Sequence, residues 1–278
     1  MAKRKRTESK EKKIKDGRGQ GHGIDYKPWL KIQDVSSLGR STRLKGIKVP
    51  RQYEFLSDLE RNYFYILEFS DYVVDIREQY SLQEVDTVLI AEELGLAHPK
   101  HPKTHEPIIM TTDFVVTTEK NGQICHVART LKYQDDLADK RVLEKFEIER
   151  AYWERQGVDW GIVTENEIPK ILAKNIGSIH SYYDLSDIEG FHDLEESEIT
   201  DMCIHMTNLL LRETLSLKEV FHQVEEDFGL GIGMGFSLYR HLLIRKSIQV
   251  DLTESINIRK IVPILAVVRD YSNKEDVM

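Results

Sequence analysis

The alternation of hydrophobic and polar positions in the middle of the chain predicts a β-hairpin. Residues 108–117 are rich in β-branched side chains, and residues 124–131 form a second extended run. Asn121-Gly122 lies between these runs and is a strong signal for a two-residue turn. We therefore predict two antiparallel strands joined at this dipeptide.

The predicted turn also determines which residues of the two strands lie opposite each other. It pairs Lys120 with Gln123, and counting back along both strands puts Asp113 opposite Thr130. Because side chains alternate between the faces of a strand, Lys132 falls on the same face as Thr130. One face of the hairpin is expected to carry a carboxylate, a hydroxyl and an ammonium group together.

A helix is predicted upstream of the hairpin, over residues 57–69. Ser57 and Glu60 have the spacing of a capping box, in which each side chain bonds to the backbone N–H of the other residue. The apolar stripe of this helix consists of Leu59, Tyr63, Ile66 and Leu67. Glu60 thus has a purely structural interpretation as a helix cap.

The remaining elements of the first half complete an α/β pattern. Periodicity predicts a short strand at residues 72–76, a helix at residues 139–156 and a short buried strand at residues 160–163. The order helix, strand, hairpin, helix, strand is typical of an α/β domain with a mixed sheet. We assign residues 1–168 to this domain.

The second half predicts a smaller domain of helices with a terminal hairpin. The helices are predicted at residues 202–211, from Ser216 onward and at residues 235–246, and alternating apolar positions at residues 248–252 and 256–258 predict the hairpin. Helices separated by a tight turn and followed by a hairpin indicate a winged helix-turn-helix. We assign residues 169–278 to it.

Charge and composition narrow the function classes. The formal net charge is -8, which argues against coating nucleic acid by bulk charge but is compatible with a nuclease whose carboxylates hold metal ions. Cys125 and Cys203 are not in a metal-ligand spacing, which favours a reducing, cytoplasmic setting. No apolar run approaches the roughly 20 residues of a membrane span, so no membrane association is expected.

Basic residues in three places are candidates for DNA contact. The N-terminal run Lys3-Arg4-Lys5-Arg6 is either a basic arm that meets a partner or a solubilising tail. Two polar loops follow, a glycine-rich one and SSLGRSTR, and the second is either a phosphate contact or a plain turn. The individual candidates are Arg18, Arg40 and Arg43 in these loops and Arg240, Arg245 and Lys246 in the second domain. An acidic preceding helix leaves docking onto a protein open for that domain.

The combination of Asp113, Thr130 and Lys132 suggests one particular chemistry. An Asp followed by a polar residue, any residue and Lys is the hallmark of PD-(D/E)xK nucleases, in which the Asp and the polar residue hold a divalent metal and the Lys acts on the attacking water. The alternative is a cross-strand ion pair on a solvated sheet face.

Several segments carry a family resemblance over the whole first domain. They are GRGQGHG with the following YKPW, SSLGR, LSDLE, VDIREQ, MTTDF and LEKFEIERAYW, in that order along the chain. With them the sequence resembles TnsA, the endonuclease subunit of heteromeric bacterial cut-and-paste transposases. The second domain resembles the family mainly in predicted architecture.

The resemblance implies a fold, an activity and partners. It implies a restriction-endonuclease-like domain followed by a winged-helix domain, acting in the bacterial cytoplasm. The implied reaction is cleavage of DNA at the 5′ ends of a transposon, with Mg²⁺ as cofactor, two ions per site, for which Mn²⁺ can substitute. The implied partners are transposon-end DNA, a TnsB-like DDE transposase that cuts the 3′ ends, and a TnsC-like AAA+ regulator.

The resemblance also implies roles for individual residues. Glu60 and Asp113 match the metal-binding carboxylates, and Lys132 matches the catalytic lysine. Thr130 departs from the Gln typical of its position, so the alternative metal ligands are water and the carbonyl of Leu131. Glu149 matches an acidic position on the following helix, where it either orders the site or is solvated.

Two other functional interpretations remain open at this stage. One is a stand-alone nuclease of the restriction type. The other is a non-catalytic DNA-binding adaptor of a transposition complex, in which the nuclease fold is vestigial, as the departure at Thr130 suggests.

Overall fold

The computed structural model describes residues 9–35 and 40–268. The chain divides into two compact units, Met1–Ile168 and Pro169–Met278, called here the N-terminal and C-terminal units. The helices of the N-terminal unit are α1 (Lys10–Lys15), α2 (Asp58–Phe69), α3 (Glu84–Glu93) and α4 (Lys140–Arg155). Its strands are β1 (Thr42–Lys45), β2 (Gln52–Phe55), β3 (Val73–Ser81), β4 (Thr111–Lys120), β5 (Gln123–Leu131) and β6 (Asp159–Val163).

A four-stranded mixed sheet in the order β3-β4-β5-β6 forms the centre of the N-terminal unit. β3, β4 and β5 are antiparallel, and β6 runs parallel to β5. The parallel pair requires a crossover, which α4 supplies. β1 and β2 form a separate two-stranded antiparallel sheet.

The central sheet has an apolar core on each face. On one face α3 and α4 pack against the strands, with Ile90, Ile148 and Ala128 completely buried. On the other face the aromatic rings of Phe55, Phe64 and Phe114 pack together, with Phe55 and Phe64 centroids 4.7 Å apart. The two faces therefore offer different surroundings to polar side chains of the same strands.

The hairpin and both flanking helices confirm the sequence predictions. Lys120 pairs with Gln123 across the Asn121-Gly122 turn. α2 begins after Ser57, whose hydroxyl accepts a hydrogen bond from the backbone N–H of Glu60. Since such turns and caps involve neighbours in sequence, local signals were sufficient to locate them.

Two predictions about the other strands need correction. β3 extends to Ser81, well beyond the predicted residues 72–76. β6 is an edge strand and only Val163 in it is buried, whereas a buried strand was predicted. An apolar run of this length occurs both in edge strands and in central strands, so it does not distinguish the two.

The C-terminal unit is mainly helical and is organised around its last helix. Its elements are α5 (Lys170–Ile179), α6 (Glu196–Leu211), α7 (Leu217–Asp227), α8 (Met234–Ile244), β7 (Ile248–Gln249) and β8 (Ala266–Val267). Leu238, Tyr239 and Leu242 of α8 are completely buried. A Cβ at Gly235 would lie 2.7 Å from the carbonyl oxygen of Phe221, so the close crossing of α7 and α8 requires glycine there.

The predicted final hairpin is wrong in its second strand. The partner of β7 is β8, with Ile248 opposite Val267, and not residues 256–258. Residues near 258 instead cap α7, because the carbonyl oxygens of Ile258 and Lys260 accept hydrogen bonds from the N–H groups of Lys218 and Leu217. These carbonyls satisfy helix N–H groups that would otherwise lack partners.

Within the described ranges, no helix is both long and apolar enough to cross a bilayer.

Candidate active site

The candidate site lies where the regular alternation of β3 and β4 is interrupted. The ladder pairs Glu78 with Phe114 and Tyr80 with Thr112, and Gln79 and Asp113 lie between these pairs. Residues two apart in a regular strand point to the same face. Here Phe114 contacts Phe55 on the α2 side, whereas the hydroxyl of Thr112 contacts Glu149 of α4. Gln79 itself has a left-handed backbone, with φ of 47°.

The carboxylate of Asp113 lies between β4 and β5, where the two strands diverge. Its Oδ2 accepts a hydrogen bond of 2.7 Å from the backbone N–H of Leu131, and its Oδ1 accepts one of 2.9 Å from Nε2 of Gln79. The regular β4–β5 pairs end at Phe114 and Arg129. A side chain thus takes the place of a backbone partner at the end of β5.

Glu60 bonds to residues at the start of α2, and its role as a metal ligand stays a prediction. Its Oε2 accepts a hydrogen bond of 3.0 Å from the N–H of Leu56, and its Oε1 accepts one of 2.9 Å from the hydroxyl of Ser57. Its carboxylate caps the start of α2, yet it also lies within electrostatic reach of Asp113. Burial, and then the charge of Asp113, raise the pKa of Glu60 to about 8.

The pair formed by Glu60 and Asp113 lacks balancing positive charge. Burial also raises the pKa of Asp113, and the hydrogen bonds from Leu131 and Gln79 and the charge of Lys132 offset this only in part. Two adjacent, largely buried carboxylates with amide groups beside them are the hard oxygen ligands that Mg²⁺ takes. Across the described residues no three His, Cys, Asp or Glu side chains gather as metal ligands. A cation here would therefore take its remaining ligands from amides, carbonyls or water.

Lys132 continues from the end of β5 and lies beside this pair. Its backbone N–H donates a hydrogen bond of 3.1 Å to the carbonyl of Val163, which fixes its position against β6. Its Nζ forms an ion pair of 3.1 Å with Asp136, a contact that the sequence did not predict. The charge of Lys132 still acts on Asp113 and lowers its pKa.

Glu149 is buried in a network of donors on the α4 side of the sheet. Its Oε1 accepts hydrogen bonds from the hydroxyls of Thr112 and Thr130 and from Nε1 of Trp160. The residue is 2% exposed, and burial raises its pKa to about 7. The interpretation of Glu149 as a solvated residue is therefore wrong, and the carboxylate ties β4 and β5 together from α4.

The predicted orientation of Thr130 is wrong. Its hydroxyl donates to Glu149 on the α4 side, whereas Asp113 bonds to Leu131 and Gln79. Extrapolation from the turn assumed unbroken alternation along β4, and the interruption at Asp113 invalidates that assumption. The described contacts of Thr130 are structural, and the carbonyl of Leu131 stays a proposed ligand.

The glycine-rich loop and its Arg18 pack against other residues of the N-terminal unit. A Cβ at Gly19 would lie 2.0 Å from Oγ of Ser81, so this glycine allows the loop to pack against β3. Arg18 is 4% exposed and forms an ion pair with Asp34, which contradicts its predicted contact with DNA. Arg40 is exposed, and Arg43 pairs with Glu54 at 3.5 Å while about half of its side chain stays exposed.

The basic residues of α8 and of the turn after it contact aromatic side chains of the same unit. Arg240 donates a hydrogen bond of 2.6 Å to the hydroxyl of Tyr182 and lies 3.8 Å from the ring of Phe236. Arg245, which follows α8 and is exposed, lies 4.7 Å from the ring of Tyr183. Every residue of α8 is buried or half-buried. Contact of Arg240, Arg245 and Lys246 with DNA stays a prediction.

The basic run Lys3–Arg6 and residues 36–39 of the predicted phosphate-contacting loop lie outside the described residues. The most important residue that sequence reasoning missed is Gln79. Its signal was only the segment VDIREQ, and nothing in that segment indicates a left-handed backbone at its last residue.

Comparison with known proteins gives matches over both units. The family described as TnsA-like endonuclease N terminal matches residues 70–165, and the family described as TnsA endonuclease C terminal matches residues 167–252. A curated relative, the transposon Tn7 transposition protein TnsA of Escherichia coli, is 43% identical over 170 residues. The matched segment spans 61% of this chain and 61% of that relative.

Proposed function

Because the chain belongs to the family of TnsA-like endonucleases, we propose that it is a metal-dependent endodeoxyribonuclease of DNA transposition. The observation that carries this proposal is the pair of carboxylates, buried Glu60 and half-buried Asp113, next to Lys132. The proposed reaction is hydrolysis of a phosphodiester at the 5′ ends of the transposon. It leaves a 5′-phosphate and a 3′-hydroxyl.

Each side chain has a role that follows from its position. Glu60 and Asp113 would hold Mg²⁺, and the carbonyl of Leu131, whose N–H donates to Asp113, is a proposed further ligand. When bound, Mg²⁺ lowers the pKa of a coordinated water and offsets negative charge on phosphate oxygens. Lys132 orients the attacking water and stabilises the charge that develops on the phosphate. For that role its ammonium group must exchange Asp136 for the water.

Glu149 acts in this proposal through the strands and not on the substrate. Its hydrogen bonds to Thr112 and Thr130 link the strand that carries Asp113 to the strand that leads into Lys132. The metal-binding carboxylate and the lysine therefore keep a fixed separation. Mutation of residues that position metal ligands in this way commonly changes metal affinity or activity by about 10- to 100-fold.

We infer that the C-terminal unit has a role other than base recognition by α8. The order α7, turn, α8 and the β7–β8 pair supports the predicted winged helix-turn-helix, but every residue of α8 is buried or half-buried. Exposed side chains lie on α7 and on the segment between β7 and β8. The proposed role of this unit is to dock onto the protein partners, a TnsB-like transposase and a TnsC-like regulator.

A cleavage assay with transposon-end DNA, Mg²⁺ and the partner transposase tests the proposal. Wild-type protein should cut the 5′ strand only with the partner present, and Lys132→Ala should abolish cutting while remaining folded. Lys120→Ala, at the exposed hairpin tip, is the matched control and should cut normally.

The other functional classes give different results in the same assay. Specific cutting by the isolated protein would favour a stand-alone nuclease. If Lys132→Ala cut as well as wild type, or if no metal supported cutting while DNA binding persisted, the nuclease assignment would fail in favour of an adaptor.

A further inference from the structure

We propose that Gln79 is the amide of this site: it holds the two carboxylates together and supplies its Oε1 as a ligand to the cation. This inference rests on the proposed function, because it concerns the same metal site. Gln79 precedes the hairpin by more than 30 residues, so its side chain reaches the site only through the pairing of β3 with β4.

The side chain of Gln79 lies between the carboxylates. Its Nε2 donates a hydrogen bond of 2.9 Å to Oδ1 of Asp113, and hydrogen bonds from Gln79 lower the pKa values of both Asp113 and Glu60. Its Oε1 accepts a hydrogen bond of 3.2 Å from the hydroxyl of Thr111. With 2% of its surface exposed, the amide is enclosed among these partners.

The backbone at Gln79 is held in a conformation that non-glycine residues rarely adopt. Its φ of 47° is in the left-handed region, which is unfavourable for a residue with a Cβ and recurs at functional sites. The carbonyl of Gln79 accepts a hydrogen bond of 3.0 Å from the N–H of Trp29, which helps to maintain this conformation. The consequence is that the side chain of Gln79 turns toward Asp113 and leaves the regular alternation of β3.

The amide of Gln79 compensates for the presence of Thr130 at a position where Gln is typical of the family. The hydroxyl of Thr130 is committed to Glu149 on the other side of the sheet, so it does not offer an oxygen to the carboxylate pair. Gln79 offers one beside both carboxylates. Rotation of its carboxamide by half a turn exchanges Nε2 and Oε1, so the group that bonds to the carboxylates without a cation becomes an oxygen ligand with one.

The test is Mg²⁺ binding without DNA, measured by calorimetry on wild type and two variants. Gln79→Met keeps the length of the side chain and removes both polar atoms, so the dissociation constant for Mg²⁺ should rise by about 10-fold or more. Gln79→Glu keeps an oxygen at the same reach, so it should bind Mg²⁺ at least as tightly as wild type. Gln123→Met, on the exposed hairpin, should leave binding unchanged.

The outcomes separate this inference from the proposed function. If wild type does not bind Mg²⁺, the proposed metal-dependent function fails. If wild type binds Mg²⁺ and Gln79→Met binds it equally well, only the role of Gln79 is contradicted.

A measurement on wild type keeps the inference testable if Gln79→Met does not fold. The side-chain amide resonances of Gln79, assigned by their loss in Gln79→Glu, should shift when Mg²⁺ is added. Unchanged resonances at saturating Mg²⁺ would contradict the inference.

Discussion

Two groups of acids that include residues of the central sheet differ in how their charge is compensated. Glu78 of β3 is fully buried, and the guanidinium of Arg51 bonds to both of its oxygens, with Nη1 and Oε1 3.0 Å apart. Glu60 of α2 is buried and Asp113 of β4 is half-buried, yet their partners are mainly neutral groups, and the charge of Asp113 raises the pKa of Glu60.

The difference distinguishes an ion pair that holds the fold from a site prepared for a cation. Arg51 also donates a hydrogen bond of 2.8 Å to the carbonyl of Ile76, so it links β3 to the segment before β2. A paired charge of this kind stabilises only as long as both members are present. A pair of adjacent carboxylates is instead locally destabilising, because two negative charges repel each other. Binding of a divalent cation relieves this repulsion, which increases the affinity of the site for the cation.

The largest expected effect is on catalysis, from Asp113→Asn. The substitution keeps the shape and removes the charge that would hold the cation, so cleavage should fall by roughly 1,000-fold or more. Stability should stay the same or increase, because one of two repelling carboxylates is gone. Cleavage rates and urea unfolding of the same preparation check both points, with Glu119→Gln at the exposed hairpin tip as control.

Two results would contradict the distinction between the Arg51–Glu78 ion pair and the carboxylate site. Substantial cleavage by Asp113→Asn, or a large loss of its stability without a loss of activity, would place Asp113 among the structural acids with Glu78.

The next effect is on folding, from Glu78→Gln. It leaves the Arg51 guanidinium buried without its ion-pair partner, which typically costs about 3–5 kcal/mol of unfolding free energy. Cleavage by the fraction that remains folded at low temperature should persist. Arg43→Gln is the control, because it removes a half-exposed pair with Glu54 and should cost no more than about 1 kcal/mol.

The comparison would lose its basis if Glu78→Gln were as stable as wild type. In that event the Arg51–Glu78 pair would not be the structural counterpart of the carboxylate site.

Sequence patterns predicted contacts between neighbouring residues but not contacts between residues distant in sequence. The turn at Asn121-Gly122 and the cap at Ser57 depend on neighbours, so they could be predicted from the sequence. The Arg51–Glu78 pair and the Gln79–Asp113 contact join residues 27 and 34 positions apart, and no local pattern encodes them. The strand interruption at Asp113 also explains why the orientation of Thr130 was predicted wrongly, while the role of Asp113 stays a prediction.

A smaller effect, and one that depends on pH, is expected at Glu149. Burial raises its pKa to about 7 in the folded protein, above its value of about 4.3 in an unfolded chain. Between these values the folded state binds more protons, so the contribution of Glu149 to the unfolding free energy falls as pH rises through the window. The total fall is roughly 4 kcal/mol, and Glu149→Gln should not show it.

Urea unfolding of wild type and Glu149→Gln between pH 4.5 and pH 8 measures this difference. Glu147→Gln, on the same helix, is the control, since the ion pair with Arg150 lowers the pKa of Glu147, so the contribution of Glu147 changes only below about pH 4.5 and stays constant across this range. Parallel curves for wild type and Glu149→Gln would mean that Glu149 is not buried as a titrating acid.

The smallest effect is expected from Thr130→Val, which removes the hydroxyl and keeps the shape. Because that hydroxyl donates to Glu149, the loss of one buried hydrogen bond should cost about 1 kcal/mol of unfolding free energy. The Mg²⁺ concentration for half-maximal cleavage should rise only slightly, since the hydroxyl faces Glu149 and not the carboxylate pair, and Glu149 keeps its bonds to Thr112 and Trp160. A Mg²⁺ titration of both proteins decides the matter: if Thr130→Val required much more Mg²⁺ at unchanged stability, Thr130 would be a metal ligand after all, and its place on the Glu149 side of the sheet would be wrong.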